Sequence, residues 1–386
     1  MLRVDVLVVG GGLQGLLMLD QFASAGRSCA LVSTSNLGGG QTLHSHGLLN
    51  TGFGFAGPEL REIRDRLVLP SLHSLGVETY GDWFLLSPEE VEVGTPASAD
   101  SLPPGFDPGR AQLRRLAELN FPKQRLIAAL HGRYRDRIVR GRAADWRGSG
   151  SIESVEVEID AGRAHVNFAP VTVVAATGTG TKRLVTALAG RSGQFDKIRH
   201  RLVHIVCVRG PAELLPATSL LSTQHGLNLV AHRQDRMVTW YSTPFQADDP
   251  HFEDVPDDAE AVPDPEVVVG GFKRLEMVYP SLGRIPELRF TAYAGFRQDL
   301  GETIGTRTFE RVEGVDNLYA ALPSLAVNAW ANAEDAGRLI GSLGAPTPQP
   351  AIPDAAVRVA QNREDRPGVR WSTWNELIAA RRLAPG

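Results

Sequence analysis

The sequence predicts an α/β protein in which a Rossmann-like domain with a parallel sheet is interleaved with a mostly antiparallel, β-rich second domain. Three observations predict it. A β-branched run, "VDVLVV" (4–9), runs into Gly10, Gly12 and Gly15 in the spacing G-x-G-x-x-G, and a helical pattern follows. A strand, a glycine turn and a helical pattern recur in "VTVVAATGTGTKRL" (171–184) and again, with a tight loop, across 317–344. Between these, the stretch 199–300 reads as strands and loops, as in "RLVHIVCVRG" and "DRMVTWYSTPF". Strand, turn, helix and strand within about thirty residues make a βαβ unit, and such units pair their strands in parallel.

Each element has a local cause. In "LQGLLMLDQFASAG", Leu13, Leu16, Leu17, Leu19 and Phe22 recur near helical spacing, and Gly26 stands where a helix ends in a left-handed residue. "SCALVS" (28–33) is the second strand. Residues 37–58, rich in glycine and polar groups, are expected to form an ordered loop, and 59–76 an amphipathic helix interrupted at Pro70. "VETYGDWFLLS" reads as strand, 88–110 as a surface loop, and "QRLIAALHGRY" (124–134) as a helix. The Asp/Pro-rich 247–265 is expected to be a loop or lid, "APTPQPAIP" a stiff linker, and "STWNELIAARR" a short helix capped by Ser372 or Thr373. The first domain is assigned 1–80, 150–200 and 300–345, the second 81–149 and 201–299, and 346–386 a linker with a helical tail.

Composition excludes several classes. The 386 residues carry 40 basic and 44 acidic side chains, a net charge of −4, with no basic block that would suit nucleic acid. The two cysteines, Cys29 and Cys207, make no disulfide framework, and Cys29 in a strand is expected to be a buried, inert thiol. No cluster has metal-ligand spacing, and no Gly-x-Ser-x-Gly marks a hydrolase. The apolar opening is too short for a membrane span and lacks a signal-peptide layout, so a cytoplasmic protein without membrane contact is expected.

The glycine motif has a mechanism. Gly10 lets the chain turn, Gly12 lets backbone amides approach a pyrophosphate, and Gly15 allows helix and strand to pack closely. An acid should follow about twenty residues on, to bond the ribose hydroxyls. That position is Ser33, with Thr34 and Ser35 beside it. A neutral hydroxyl in place of a charge-assisted bond weakens the grip by about 1–2 kcal/mol without abolishing it.

Four segments together resemble the D-amino-acid oxidase/glycine oxidase superfamily of FAD enzymes, over about residues 1–345: "VLVVGGGLQG", "GGGQTLHSHG", "VTVVAATGTGTKRL", and "FRQDLGETIG" followed by "VDNLYAALPSLAVNAWANAEDAGRLI". The resemblance implies FAD held by Gly10, Gly12, Leu13, Gln14 and Gly15, by Ser33 and Thr34 at the ribose, and by Gly40, Gln41, Thr42 and His44 along the pyrophosphate and flavin. It also implies contacts from Thr177 and Gly178, and from the backbone of Leu325, Ala326 and Val327 at the flavin's pyrimidine edge. Gly40-Gln41-Thr42-Leu43-His44 fits the layout in which some amine-oxidising members bond a histidine covalently to the flavin, with His46 the neighbouring alternative. The other reading is that these histidines line the pocket. Arg297 matches the family arginine that grips a substrate carboxylate, and Tyr241 the place of an aromatic hydroxyl, although Trp240 or Tyr241 could equally be core. Departures are the missing ribose acid, the closing loop "LPSLAVNAW", and residues 346–386, which lie outside the pattern.

The reaction so implied is FAD-dependent oxidation of a C–N bond in a small carboxylate-bearing amine or amino acid. Oxygen or another acceptor takes the electrons, and the divergence suggests a specialised biosynthetic pathway. The alternatives are a 2-hydroxy-acid dehydrogenase using the same arginine, and a flavin-binding scaffold without turnover. A monooxygenase fits less well, since "GTGTKR" has Arg183 where a second nucleotide motif needs its last glycine. His204, His225 and His232 are expected to be structural and Lys123 solvated. An oligomer is possible.

Overall fold

The computed structural model describes all residues except 35, 55–57, 160–161, 192, 246–250, 254, 256–260, 301–305, 324, 358–369 and 378–386. Two large sheets organise the chain. In the first, Leu318–Pro323, Ala164–Ala175, Leu2–Val9, Cys29–Ser33 and Ile138–Arg140 lie side by side in parallel. Arg307–Arg311 adds an antiparallel edge, and Ser154–Ile159 with Arg142–Arg147 extends the long 164–175 strand as an antiparallel flap. Both faces of the sheet are covered, which is why its strands read as unbroken apolar runs. Val6 and Val8 face the helices Leu13–Ser24, Lys123–Tyr134 and Ala326–Gly337, whereas Leu7 and Val9 face the flap.

Strands 138–140 and 142–147, assigned from sequence to the second domain, pair in this first sheet. Their short sequences carry no sign of which neighbour they join. The helix over 59–76 is not broken at Pro70. It passes through Glu59–Ile63, a π-helical turn Arg64–Val68, and Leu69–Ser74. The wider turn ahead of Pro70 makes room for the ring and for its missing N–H. The 37–58 stretch contains a helical turn, Gln41–His44, and a two-residue strand, Leu48–Leu49.

The second sheet runs His251–Phe252, Ile198–Pro211, Met237–Pro244, Leu227–Gln234, Ser219–Ser222, Trp83–Ser87, Gln112–Leu116, Thr95–Pro96, and Arg289–Leu300 pairs along Ile198–Pro211. Every pairing is antiparallel except that of Ser219–Ser222 with Trp83–Ser87. The strand at 95–96 lies inside the expected 88–110 loop. One face packs on the helix Pro265–Val278 through Val268, Phe272 and Leu275 against Val206, Val208 and Trp240. That helix is hidden in the sequence by its Val-Val-Val and Gly-Gly runs. Asp264 starts it by accepting the Glu266 N–H at 2.8 Å, and His204 Nε2 accepts the Asp264 N–H at 3.0 Å, a structural role. Of the 247–265 stretch, 251–252 is strand and much of the rest lies outside the described residues.

The linker is pinned to the first sheet. Gln349 brackets Cys29, accepting its N–H at 2.9 Å and donating to its carbonyl at 3.2 Å, while the Thr347 hydroxyl donates to Asp5 at 2.9 Å. Cys29 is buried, and burial raises its thiol pKa, so it is inert. Farther on, Ser372 exchanges backbone hydrogen bonds with Phe290 at 2.8 and 2.9 Å, and Thr373 caps a short helical turn with Glu376 in a reciprocal capping box. No helix among the described residues is long and apolar enough to cross a membrane.

Candidate functional site

A cavity of about 870 Å³ opens beyond the carboxyl ends of the parallel strands and reaches the second sheet. This is where open α/β sheets bind ligands. One end is built of backbone. Gly10 has φ +124°, and a Cβ there would lie 2.2 Å from the Ala176 carbonyl oxygen. A Cβ on Gly15 would stand 1.8 Å from the Gly10 carbonyl oxygen, and one on Gly11 2.2 Å from Ser33 Oγ. Only hydrogen fits at these three places. The first helix then aims its N-terminus at the cavity, where the Leu13 N–H donates to Thr42 Oγ1 at 2.9 Å. That hydroxyl keeps its own proton to donate to an anion lying there.

Of the residues expected to hold a dinucleotide, Gly10, Gly12, Leu13, Gln14, Ser33, Thr34, Gly40, Gln41, Thr42, His44, Thr177, Gly178, Leu325 and Ala326 line the cavity. Gly15 and Val327 do not line it: Gly15 packs beneath Gly10, and Val327 is fully buried in the core. The Gln14 side chain ties the first helix to the 326–337 helix, donating to Ala329 O at 3.2 Å and accepting from Asn332 Nδ2 at 2.9 Å. Ser33 is buried against Gly11, Thr34 is exposed at the rim, and Ser35 lies outside the described residues.

The other end is built of side chains. His44, ending the short helix 41–44, lines the cavity and packs on Gly295 of the 289–300 strand, with its ring 6.3 Å from that of Tyr293. Phe121, Phe296 and Gln298 complete this wall. Behind it lies a cluster that the sequence did not announce. Lys123 is buried, not solvated: Nζ donates to Leu43 O at 2.9 Å and to Ser45 O, and stands 5.0 Å over the Tyr241 ring. It thereby holds both sides of His44 in place. His232 bonds the Tyr80 hydroxyl at 2.5 Å through Nδ1 and donates to His46 O at 2.6 Å through Nε2.

His46 does not line the cavity. Its Nδ1 is buried, and burial together with the charges of Lys123, Arg297 and His232 lowers its pKa from 6.5 to about 3. Arg297 therefore lies near the histidine segment. It pairs with Asp299 at 3.1 Å, and the same carboxylate takes Arg201 at 3.2 Å. The two arginines face each other across paired strands, each about a quarter exposed. Tyr241 is buried in the sheet face beside Cys207, Ile205 and Tyr293. Asp299 was within reach of sequence reasoning, since a residue two along a strand from Arg297 shares its face. Lys123 was not, because its partners are about eighty residues away. Among the described residues no group of three or more His, Cys, Asp or Glu is placed to hold a metal ion.

No family model matches the chain. A curated relative, a probable FAD-dependent oxidoreductase of Pseudomonas aeruginosa, is 40% identical over 55 residues, a stretch that spans only 14% of this chain and 14% of the relative. The crystal structure of that FAD-dependent oxidoreductase is similar over 94% of this chain and 97% of its own, with a TM-score of 0.70 and 22% identity. L-proline dehydrogenase from P. horikoshii is similar over 88% and 94%, with a TM-score of 0.69 and 15% identity. Glycine oxidase from Geobacillus kaustophilus is similar over 89% and 95%, with a TM-score of 0.62 and 18% identity. The chain therefore has the fold of these FAD-dependent oxidoreductase, L-proline dehydrogenase and glycine oxidase structures across nearly its whole length.

Proposed function

We propose that the chain is an FAD-dependent oxidoreductase that oxidises the C–N bond of a small carboxylate-bearing amine or amino acid. One observation carries the reading: a single cavity joins a glycine-built end, where no Cβ can stand at Gly10 or Gly15, to a wall backed by cationic side chains. The residues present fit FAD. The Leu13 end of the first helix and the Thr42 hydroxyl suit a pyrophosphate, and the start of the 326–337 helix, at Leu325 and Ala326, suits the electron-rich edge of a flavin. Similar structures, an L-proline dehydrogenase and a glycine oxidase among them, agree with an amino-acid substrate.

FAD supplies the ring that accepts a hydride from carbon beside nitrogen. The chain's own residues bind, orient and exclude water. Arg297, which pairs through Nε with Asp299 at 3.1 Å, is the residue assigned to the substrate carboxylate. Lys123 fixes the carbonyls of Leu43 and Ser45 and so sets His44 in the wall. His44 either lines the flavin or bonds to it. His46, neutral down to about pH 3, stays uncharged in the histidine segment and takes up no second proton.

The test is anaerobic reduction. With FAD bound, a panel of amino acids and N-methyl amino acids should include one that bleaches the flavin and releases ammonia or amine. Bleaching by 2-hydroxy acids alone would move the reaction to C–O oxidation, and a loaded protein that no member of either panel reduces would leave a scaffold.

A further inference from the structure

The acid expected at the ribose is absent, and the flap brings other groups to that place. Ser33, at the end of the second strand, stands opposite Arg140, and the Gly141 N–H donates to the Ser33 carbonyl at 2.9 Å. The chain then enters the 142–147 strand, and Arg142, Ala143 and Trp146 line the cavity together with Ser33 and Thr34. Arg142 is not a substitute for the acid. It is a cation, and its guanidinium donates twice to one oxygen of Glu158, at 2.7 and 3.2 Å.

Trp146 reaches the cavity through an irregularity in the flap. Glu156 stands opposite Asp145, but the next residue, Val157, stands opposite Ala143, so the register skips Ala144. In a regular strand, residues three apart point to opposite faces. The bulge puts Ala143 and Trp146 on the same face, opposite Val157 and Val155, both fully buried. There they pack on the same apolar cluster as Leu184 of the helix Thr181–Ala189. Val9, Val32, Ala143, Trp146 and Leu184 all line the cavity, and all belong to that cluster or pack against it. The ribose position thus adjoins an apolar recess whose largest wall is an indole. Such a recess suits a flat base, and stacking on an aromatic face is of the same size as the charge-assisted bond that Ser33 cannot make.

We propose that Trp146 is the adenine-binding wall of the FAD site: the purine stacks on its indole in the recess shared with Leu184, and this contact offsets the missing ribose acid. This rests on the reading of the cavity as an FAD site. The same contact makes the site favour purine over pyrimidine nucleotides.

The experiment titrates the full chain, produced flavin-free in riboflavin-starved cells, with FAD, ADP and UDP by calorimetry, in wild type, Trp146→Leu and Trp146→Phe. UDP carries the same ribose and pyrophosphate as ADP, so it reports any general loosening of the site. Wild type should bind ADP more tightly than UDP, and bound ADP should quench tryptophan emission. Trp146→Leu keeps apolar bulk on the cluster but has no π face. It should weaken FAD and ADP about tenfold and UDP much less, and abolish the quench. Trp146→Phe should lie between, and keeps the test open if the leucine variant fails to fold. FAD and ADP affinities within about twofold of wild type in the variants, an equal loss of ADP and UDP, or no quench by ADP bound to wild type overturns the proposal while the reading of the site stands. If wild type binds neither FAD nor ADP, the reading fails and the proposal falls with it.

Discussion

At the Gly10–Gly15 end of the cavity the chain presents backbone, and at the His44 end it presents side chains. The first end is largely local: turn, helix start and the packing of Gly15 on Gly10 come from six consecutive residues, and a Cβ at Gly10, Gly11 or Gly15 is excluded by contacts of 1.8–2.2 Å, with Ala176 and Ser33 supplying two of the three. The second is assembled from distant parts, with Lys123 bonding residues 43 and 45, His232 bonding Tyr80 and His46, and Asp299 joining Arg201 to Arg297. The difference teaches where tolerance lies. A backbone-built end accepts almost no substitution at Gly10 or Gly15 and draws on few groups outside itself, Ser33, Thr42 and Ala176. A side-chain-built end can be re-tuned one group at a time.

The largest effect should come from breaking the local end. Gly15→Ala sets a methyl against the Gly10 carbonyl with no flexible atom to yield, at a cost above about 3 kcal/mol, so the variant should purify without flavin or fail to fold. Flavin content and circular dichroism check it. At the assembled end, Arg297→Gln should lower kcat/KM about a hundredfold or more while flavin content stays at the wild-type level. Loss of flavin in that variant would erase the distinction between the two ends.

Smaller effects sharpen the comparison. Lys123→Met leaves the buried carbonyls of Leu43 and Ser45 without their donor, costing about 1–3 kcal/mol and lowering Tm by a few degrees in a thermal melt. Ser33→Glu should restore a charged ribose partner and tighten FAD about tenfold in a fluorescence titration. The last is pH-dependent. With His46 at about 3 in the folded chain and near 6.5 unfolded, the unfolded state takes up the proton first as pH falls. Its contribution is thus fully present above pH 6.5 and is lost progressively down to about 3. Tm of wild type should fall more steeply across that window than Tm of His46→Gln.

The same division decides what could be read in the sequence. The glycine end was legible because its chemistry is a spacing of neighbours, and Thr42, His44, Thr177 and Leu325 all reach the cavity as the resemblance implied. Ser33 lines the cavity with its side chain against Gly11, and Thr34 stands exposed at the rim. Lys123 was misjudged because burial of an ammonium depends on carbonyls and a ring supplied by other elements. The strands 138–140 and 142–147 were placed with the wrong sheet, since neither the parallel pairing of the first nor the antiparallel pairing of the second leaves a local mark. The helix 265–278 was missed because valine and glycine runs mask its period, and only the Asp264-Pro265 start betrays it.

The central claim, a flavin bound across both ends, is tested most directly by the visible absorption spectrum of the purified protein before and after acid precipitation. The account predicts the absorption of oxidised flavin. Colour released to the supernatant makes His44 a lining residue, and colour kept in the pellet and lost in His44→Ala makes it the point of attachment. A colourless protein that takes up no FAD when FAD is supplied would contradict the account.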